Sequence, residues 1–233
     1  MSRLTKVIHS EFIAGRSTFD WCFLLTGLEI QVLVFCLAPS SPIMIVSGIA
    51  GIFSVILCSQ GKISTYLFGF VQVTTYLIIA YKQRLYGEVG INVFYFVSMI
   101  YGVYVWMRRY HVDEKTGSSE LQARKLSAQW WIGTIVAVLV GSILTGWLLA
   151  KYTDDSDPYL DAFTTIPAIA GQILMVFGFR EQWFFWFCID IGCVWLWLRA
   201  GNWSMAALYA FWCANCINGF YHWTKSAKTK EKI

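Results

Sequence analysis

One carboxylate stands inside the aromatic run Gln182-Trp183-Phe184-Phe185-Trp186-Phe187-Cys188-Ile189-Asp190. Trp183, Trp186 and Asp190 are spaced i, i+3 and i+7, so a helix carries them on one face. Indole faces beside a carboxylate suit a flat cation, through charge attraction and cation–π contact of roughly 0.5–2 kcal/mol. An acid at the centre of an apolar helix costs about 2.5–3.5 kcal/mol in lipid, so such residues face a cavity or a partner. The alternative for Asp190 is a structural acid, paired with another helix or protonated.

Polar side chains recur at matching depths elsewhere. Gln72 shares a helical face with Thr75 and Tyr76, and is a ligand contact or a helix-to-helix hydrogen bond. Asn215 and Ser98 are candidates at one level, with Tyr95 and Trp212 within a turn of them. Asn92 either binds ligand or caps the helix it opens. Gln172 lies below Asp161, Thr164 and Thr165, and Asp161 is either an outer vestibule residue or a solvated loop acid. Glu29 is an acid with no assigned role, a packing or subunit contact. Arg180 and Glu181 form an interfacial ion pair of little energetic weight.

The elements that must position these residues are transmembrane helices. A chain of 233 residues that is 57% hydrophobic and 14% charged lies far from soluble averages and reads as an all-α integral membrane protein. Eight apolar segments are each about long enough for a hydrocarbon core needing roughly 17–25 helical residues. They run from Trp21 to Leu37, Pro42 to Ser59, Ile63 to Tyr81, Gly90 to Met107, Trp130 to Tyr152, Phe163 to Phe179, Trp183 to Leu198 and Met205 to Trp223. The aromatic content, 12 Trp, 12 Tyr and 17 Phe, exceeds the need of two interfacial belts and leaves rings to line a cavity. The seven cysteines all fall in apolar segments, and Cys213-x-x-Cys216 reads as packing, not as redox or zinc chemistry.

Lys and Arg number 14 on the side holding both termini and 4 on the other, which puts both termini in the cytoplasm by the positive-inside rule. The first residues lack the apolar core and cleavage site of a secretory signal, so no processing is expected.

Sliding the chain over itself by 117 residues aligns Gly61 with Gly178, and Gly102-x-Tyr104-x-Trp106 with Gly219-x-Tyr221-x-Trp223. The offset pairs spans two to four with spans six to eight, in the same direction, and leaves the fifth as a connector. The expected organisation is therefore residues 1–41 as N-terminus and extra helix, 42–107 as the first three-helix repeat, 108–152 as basic loop and connector, 153–223 as the second repeat, and 224–233 as a basic tail. Two parallel triplets joined by one helix (3+1+3) place a substrate site at the repeat interface near mid-membrane.

The sequence has no phosphate-binding Gly-x-x-x-x-Gly-Lys-Ser/Thr loop, no His-Glu-x-x-His and no Gly-x-Ser-x-Gly. No enzyme activity, metal, cofactor or nucleic-acid partner is expected; membrane lipid is.

From Gly61-Lys62-Ile63-Ser64 and Tyr76, through Leu85-Tyr86-Gly87-Glu88, Gly102-x-x-x-Trp106, Asp161-Ala162, Gln172 and Arg180, to Trp183-x-x-Trp186-x-x-x-Asp190 and Gly219-x-x-x-Trp223, the chain resembles the PnuC family of bacterial vitamin-precursor transporters. The likeness covers roughly residues 42 to 223; the first span lies outside it. It implies a SWEET-like fold, a homotrimer, an inner-membrane location and passive uptake of nicotinamide riboside, trapped inside by phosphorylation. A pyridinium held by aromatics and an acid, with Gln72, Asn92 and Asn215 on the carboxamide and ribose, matches the residues above. The alternatives are another cationic aromatic vitamin such as thiamine, or a membrane subunit that binds a vitamin without moving it.

Overall fold

The computed structural model describes residues 3–38, 41–112, 117–154 and 157–229. Each segment expected to span is a helix: α2 (Thr18–Leu37), α3 (Pro42–Ser59), α4 (Thr65–Lys82), α5 (Tyr86–Met107), α6 (Ala128–Tyr152), α7 (Pro158–Val176), α8 (Gln182–Arg199) and α9 (Trp203–Thr229). A short α1 (Arg3–Phe12) precedes them, and the basic loop forms a hairpin of β1 (Tyr110–Val112) and β2 (Ser119–Leu121), neither of which was expected. Five helices, α2, α3, α5, α6 and α7, are long and apolar enough to cross a membrane by length and mean hydropathy. The helices α4, α8 and α9 carry Tyr66, Tyr76 and Tyr81, the four tryptophans of α8, and Asn215 and Asn218, which lower hydropathy without shortening the helix.

Local chemistry sets the boundaries. Ser17 and Asp20 form a reciprocal capping box, so α2 starts before Trp21. Pro42 and Pro158 occupy the first turns of α3 and α7, where a missing N–H costs nothing. The fourth span begins at Tyr86, not Gly90, so Asn92 sits inside α5 and caps nothing; its Nδ2 donates to the Glu88 carbonyl at 2.8 Å. Gly61 and Gly178 end α3 and α7 with φ of +68° and +72°, a left-handed step that glycine takes without strain.

Those two turns belong to a wider correspondence. The Gly61 N–H donates to Cys58 and the Gly178 N–H to Met175, both at 2.9 Å. Trp106 Nε1 donates to the Met175 carbonyl at 3.1 Å, and Trp223 Nε1 to the Cys58 carbonyl at 3.0 Å. Tyr66 stands edge-on to Trp106, and Trp183 edge-on to Trp223. Every one of these pairs is related by the same offset of 117 residues. The helix neighbours correspond too: α3, α4 and α5 pack in succession, as do α7, α8 and α9, and the halves meet through α5 on α7 and α3 on α9. Outside these, α2 packs on α3 and α9, while α6 packs on α7.

The largest core cluster lies where the halves meet, around Trp106, Trp183, Trp223, Tyr66, Val73, Met99 and Cys216. At one end of the bundle, the hairpin joins both glycine turns: Leu121 N–H donates to the Gly61 carbonyl at 2.8 Å and Arg124 N–H to the Gly178 carbonyl at 2.7 Å. The same end receives α1. The buried Lys62 ammonium donates to the carbonyls of Ser10 (3.2 Å) and Ser119 (3.0 Å) and to the Ser118 hydroxyl. Glu11 accepts from the Ser64 N–H at 3.0 Å and from the Tyr110 hydroxyl.

Candidate transport site

Three helices converge on Trp186. From α5, Tyr95 places its ring 6.4 Å from the indole at an interplanar angle of 56°. From α7, Gly171 permits the close approach, since a Cβ there would lie 3.1 Å from Trp186 Nε1. From α8 itself, one turn back, Gln182 Oε1 accepts the indole N–H at 3.2 Å and fixes the ring plane. Gln172, next to Gly171, donates from Nε2 to Ser98 Oγ at 2.9 Å, and Ser98 in turn donates to the Tyr95 carbonyl at 2.8 Å. Trp186, Tyr95, Ser98 and Gln172 thus form one aromatic and hydrogen-bonding wall between the halves.

Asp190 lies one turn along α8 from Trp186. Its Oδ2 accepts from Cys216 Sγ on α9 at 3.5 Å. Tyr209 of α9 hydrogen-bonds Cys193 and lies within electrostatic range of Asp190 and of Tyr76 on α4. Tyr76 and Tyr95 lie within electrostatic range of Glu88 on α5, and Glu88 lies within range of Asp161 on α7. Glu88 therefore stands near Tyr76 and Tyr95, and Asp190 near Tyr209 and one turn from Trp186. Among the described residues neither Glu88 nor Asp190 is ion-paired with a lysine or arginine. Where they are ionised, these carboxylates favour a cation over an anion.

The remaining candidates lie apart from that wall. Trp183 is 3% exposed and packs under Gly219, where a Cβ would come within 2.4 Å of its ring; among the described residues its Nε1 has no partner. Asn215 is fully buried, with Nδ2 donating to the Val55 carbonyl at 3.4 Å and Oδ1 unpaired among the described residues. Gln72 is half-buried across Gly51 of α3, and its carbonyl accepts from Ser47 at 3.4 Å. Trp212 packs edge-on to Phe211 in a second apolar cluster shared with α2 and α3.

Sequence reasoning passed over Gln182, Tyr209 and Cys216. Gln182 had a signal: it stands four residues before Trp186, the spacing of a side-chain pair on a helix. Tyr209 had none, being one aromatic among many, and Cys216 stands out only through Cys213-x-x-Cys216, which reads as packing. Glu88 enters the sequence pattern only within Leu85-Tyr86-Gly87-Glu88, and its proximity to Tyr76 arises from tertiary packing of α4 on α5.

Residues 41–225 match the family model described as nicotinamide mononucleotide transporter. The chain is 32% identical over 226 residues to a nicotinamide riboside transporter PnuC of Neisseria mucosa, covering 94% of this chain and 85% of the relative. It is 32% identical over 226 residues to the Haemophilus influenzae protein of the same name, covering 97% and 98%. The Escherichia coli PnuC is 28% identical over 209 residues, covering 79% of this chain and 86% of the relative. A solved structure described as that of the vitamin B3 transporter PnuC superposes with a TM-score of 0.78 at 30% identity, covering 92% of this chain and 94% of that one.

Proposed function

The chain belongs to the PnuC family of membrane transporters, matched by the nicotinamide mononucleotide transporter model, and on that premise we propose that it carries nicotinamide riboside, not the mononucleotide, into the cell. The observation that carries the choice is charge. The wall of Trp186, Tyr95, Ser98 and Gln172 adjoins Asp190 and Glu88, neither of which has an ion-pair partner among the described residues. A pyridinium stacks on such aromatic faces and is attracted by the carboxylates, and its carboxamide and ribose find donors and acceptors in Gln172 and Ser98.

The same reading gives eight membrane crossings in a 3+1+3 arrangement with α2 added outside it. The paired contacts of α5 on α7 and α3 on α9 support this, as do the matched glycine turns and indole bonds. The end that carries α1, the hairpin and the last turns of α9 is cytoplasmic, in keeping with its excess of Lys and Arg. The two halves rock about their interface and expose the site alternately, as a homotrimer in the inner membrane, and an internal kinase makes uptake net.

The test is uptake of labelled nicotinamide riboside into proteoliposomes that contain a riboside kinase and ATP. Saturable accumulation, competed by unlabelled riboside and unaffected by external mononucleotide, is expected. Saturable binding without accumulation would refute transport, and equal competition by the mononucleotide would refute the charge argument.

A further inference from the structure

The hairpin end of the molecule holds a cavity of about 680 Å³ that the transport site does not use. Its lining collects positive charge from separate segments: Arg109 after α5, Arg124 and Lys125 before α6, Arg180 in the turn between α7 and α8, and Lys228 near the end of α9. Among the described residues only Arg180 of these has an ion-pair partner, Glu181 at 3.2 Å. The other Glu181 oxygen already accepts the Leu126 N–H at 3.1 Å. Burial, and next the charge of Arg124, push the Arg109 guanidinium below its ordinary pKa. Like charges gathered in a partly dehydrated cleft repel until an anion joins them.

The cavity walls are held in place. Arg124 is fixed by its backbone, donating to Gly178 at 2.7 Å and accepting from the Arg180 N–H at 3.0 Å, and its guanidinium lies over the Phe179 ring. Arg180 donates to Thr224 Oγ1 at 3.1 Å and lies over Phe220. Arg109 donates to the Phe177 carbonyl at 3.1 Å, leaving the rest of its fork free for further bonds.

We propose that this cavity binds a phosphate-bearing anion, and that the bound phosphate ties the segment before α6, the α7–α8 turn and α9 to one another. Guanidinium forks match phosphate oxygens two at a time, and the lysines add point charge. Because Arg109, also in the lining, directly follows α5 of the first half, while the tied segments belong to the second half and to the loop before α6, occupancy slows the relative motion of the halves. That consequence rests on the transporter reading; the binding does not. A phosphorylated product on this side would thereby restrain its own supply.

The experiment uses the full chain in phosphatidylcholine nanodiscs, titrated calorimetrically with nicotinamide mononucleotide and inorganic phosphate, with a second set of discs containing phosphatidylglycerol. Mononucleotide binding is expected in the neutral discs, weakened by salt, undisturbed by saturating riboside, and at least tenfold weaker in Arg124→Gln/Lys228→Gln. Silence of the soluble ligands, with phosphatidylglycerol retained by the wild type and lost by the double variant in native mass spectrometry, supports the site with a lipid headgroup as its source. No phosphate-bearing ligand bound, or equal binding by wild type and variant, overturns the proposal. If that variant does not fold, Lys125→Gln/Lys228→Gln, at two exposed positions, gives the same readout. Riboside binding is measured in the same discs, so failure of the transport reading shows up separately.

Discussion

Replacing Asp190 by asparagine keeps the size of the side chain and its contact with Cys216 but removes its charge. Trp186 and Asp190 are four residues apart on α8, and such neighbours stand about 6 Å apart. A pyridinium stacked on Trp186 at about 6 Å from an ionised Asp190 carboxylate would be attracted by about 2.8 kcal/mol at an effective dielectric of about 20. That corresponds to about a hundredfold in affinity. Titration calorimetry on the detergent-solubilised protein measures it, using nicotinamide riboside and its uncharged 1,4-dihydro form as paired ligands of nearly the same shape. The variant should lose about a hundredfold for the cation and far less for the neutral form. Equal losses would mean that Asp190 acts by shape or packing, and no loss for either would mean that the cation sits elsewhere. Both results refute the electrostatic reasoning.

Other perturbations test the frame around the site. Gln172→Leu breaks the bond to Ser98 while preserving bulk, and should weaken riboside binding by about tenfold, the worth of one buried hydrogen bond of about 1–1.5 kcal/mol; an unchanged affinity would move the ribose or carboxamide away from α7. Gly219→Ala puts a Cβ 2.4 Å from the Trp183 ring and should destabilise by about 1–3 kcal/mol, read from thermal unfolding; its counterpart Gly102→Ala, against Tyr66, should do the same. Lys62→Met leaves the Ser10 and Ser119 carbonyls without their donor and should cost about 2–4 kcal/mol. Its most direct readout is faster tryptic cleavage after Arg16 as α1 comes away.

Much of the framework was readable because membrane helices announce themselves by length, hydropathy and the residues that end them. The paired contacts were readable from Gly-x-Tyr-x-Trp because each glycine admits a large ring and each tryptophan reaches across to a carbonyl 117 residues from its counterpart's. Of the candidate side chains, Trp186, Tyr95, Ser98 and Gln172 share a wall, while Trp183 lies on the same expected helix face as Trp186 yet packs into the core nearer the hairpin end. Spacing on one helix states which residues are neighbours along it; it does not state which neighbouring helix each one meets. The hairpin and the docking of α1 were hidden for the same reason. Lys62 and Glu11 look like surface charges in the chain, and only tertiary contacts 52 and 53 residues away make them buried anchors.

The two crossed indole bonds set a condition on how fast the protein can change shape. Trp106 reaches Met175 and Trp223 reaches Cys58, so any movement that parts the halves at this level has to break both together. At a net worth of about 1 kcal/mol each, the pair biases the populations of the fastened and parted forms by about 2 kcal/mol, roughly thirtyfold. Removing one indole donor should relax only half of that, and removing both should shift the resting equilibrium. The balance between fastened and parted forms is thereby tunable by two bonds that involve none of Trp186, Tyr95, Ser98 or Gln172.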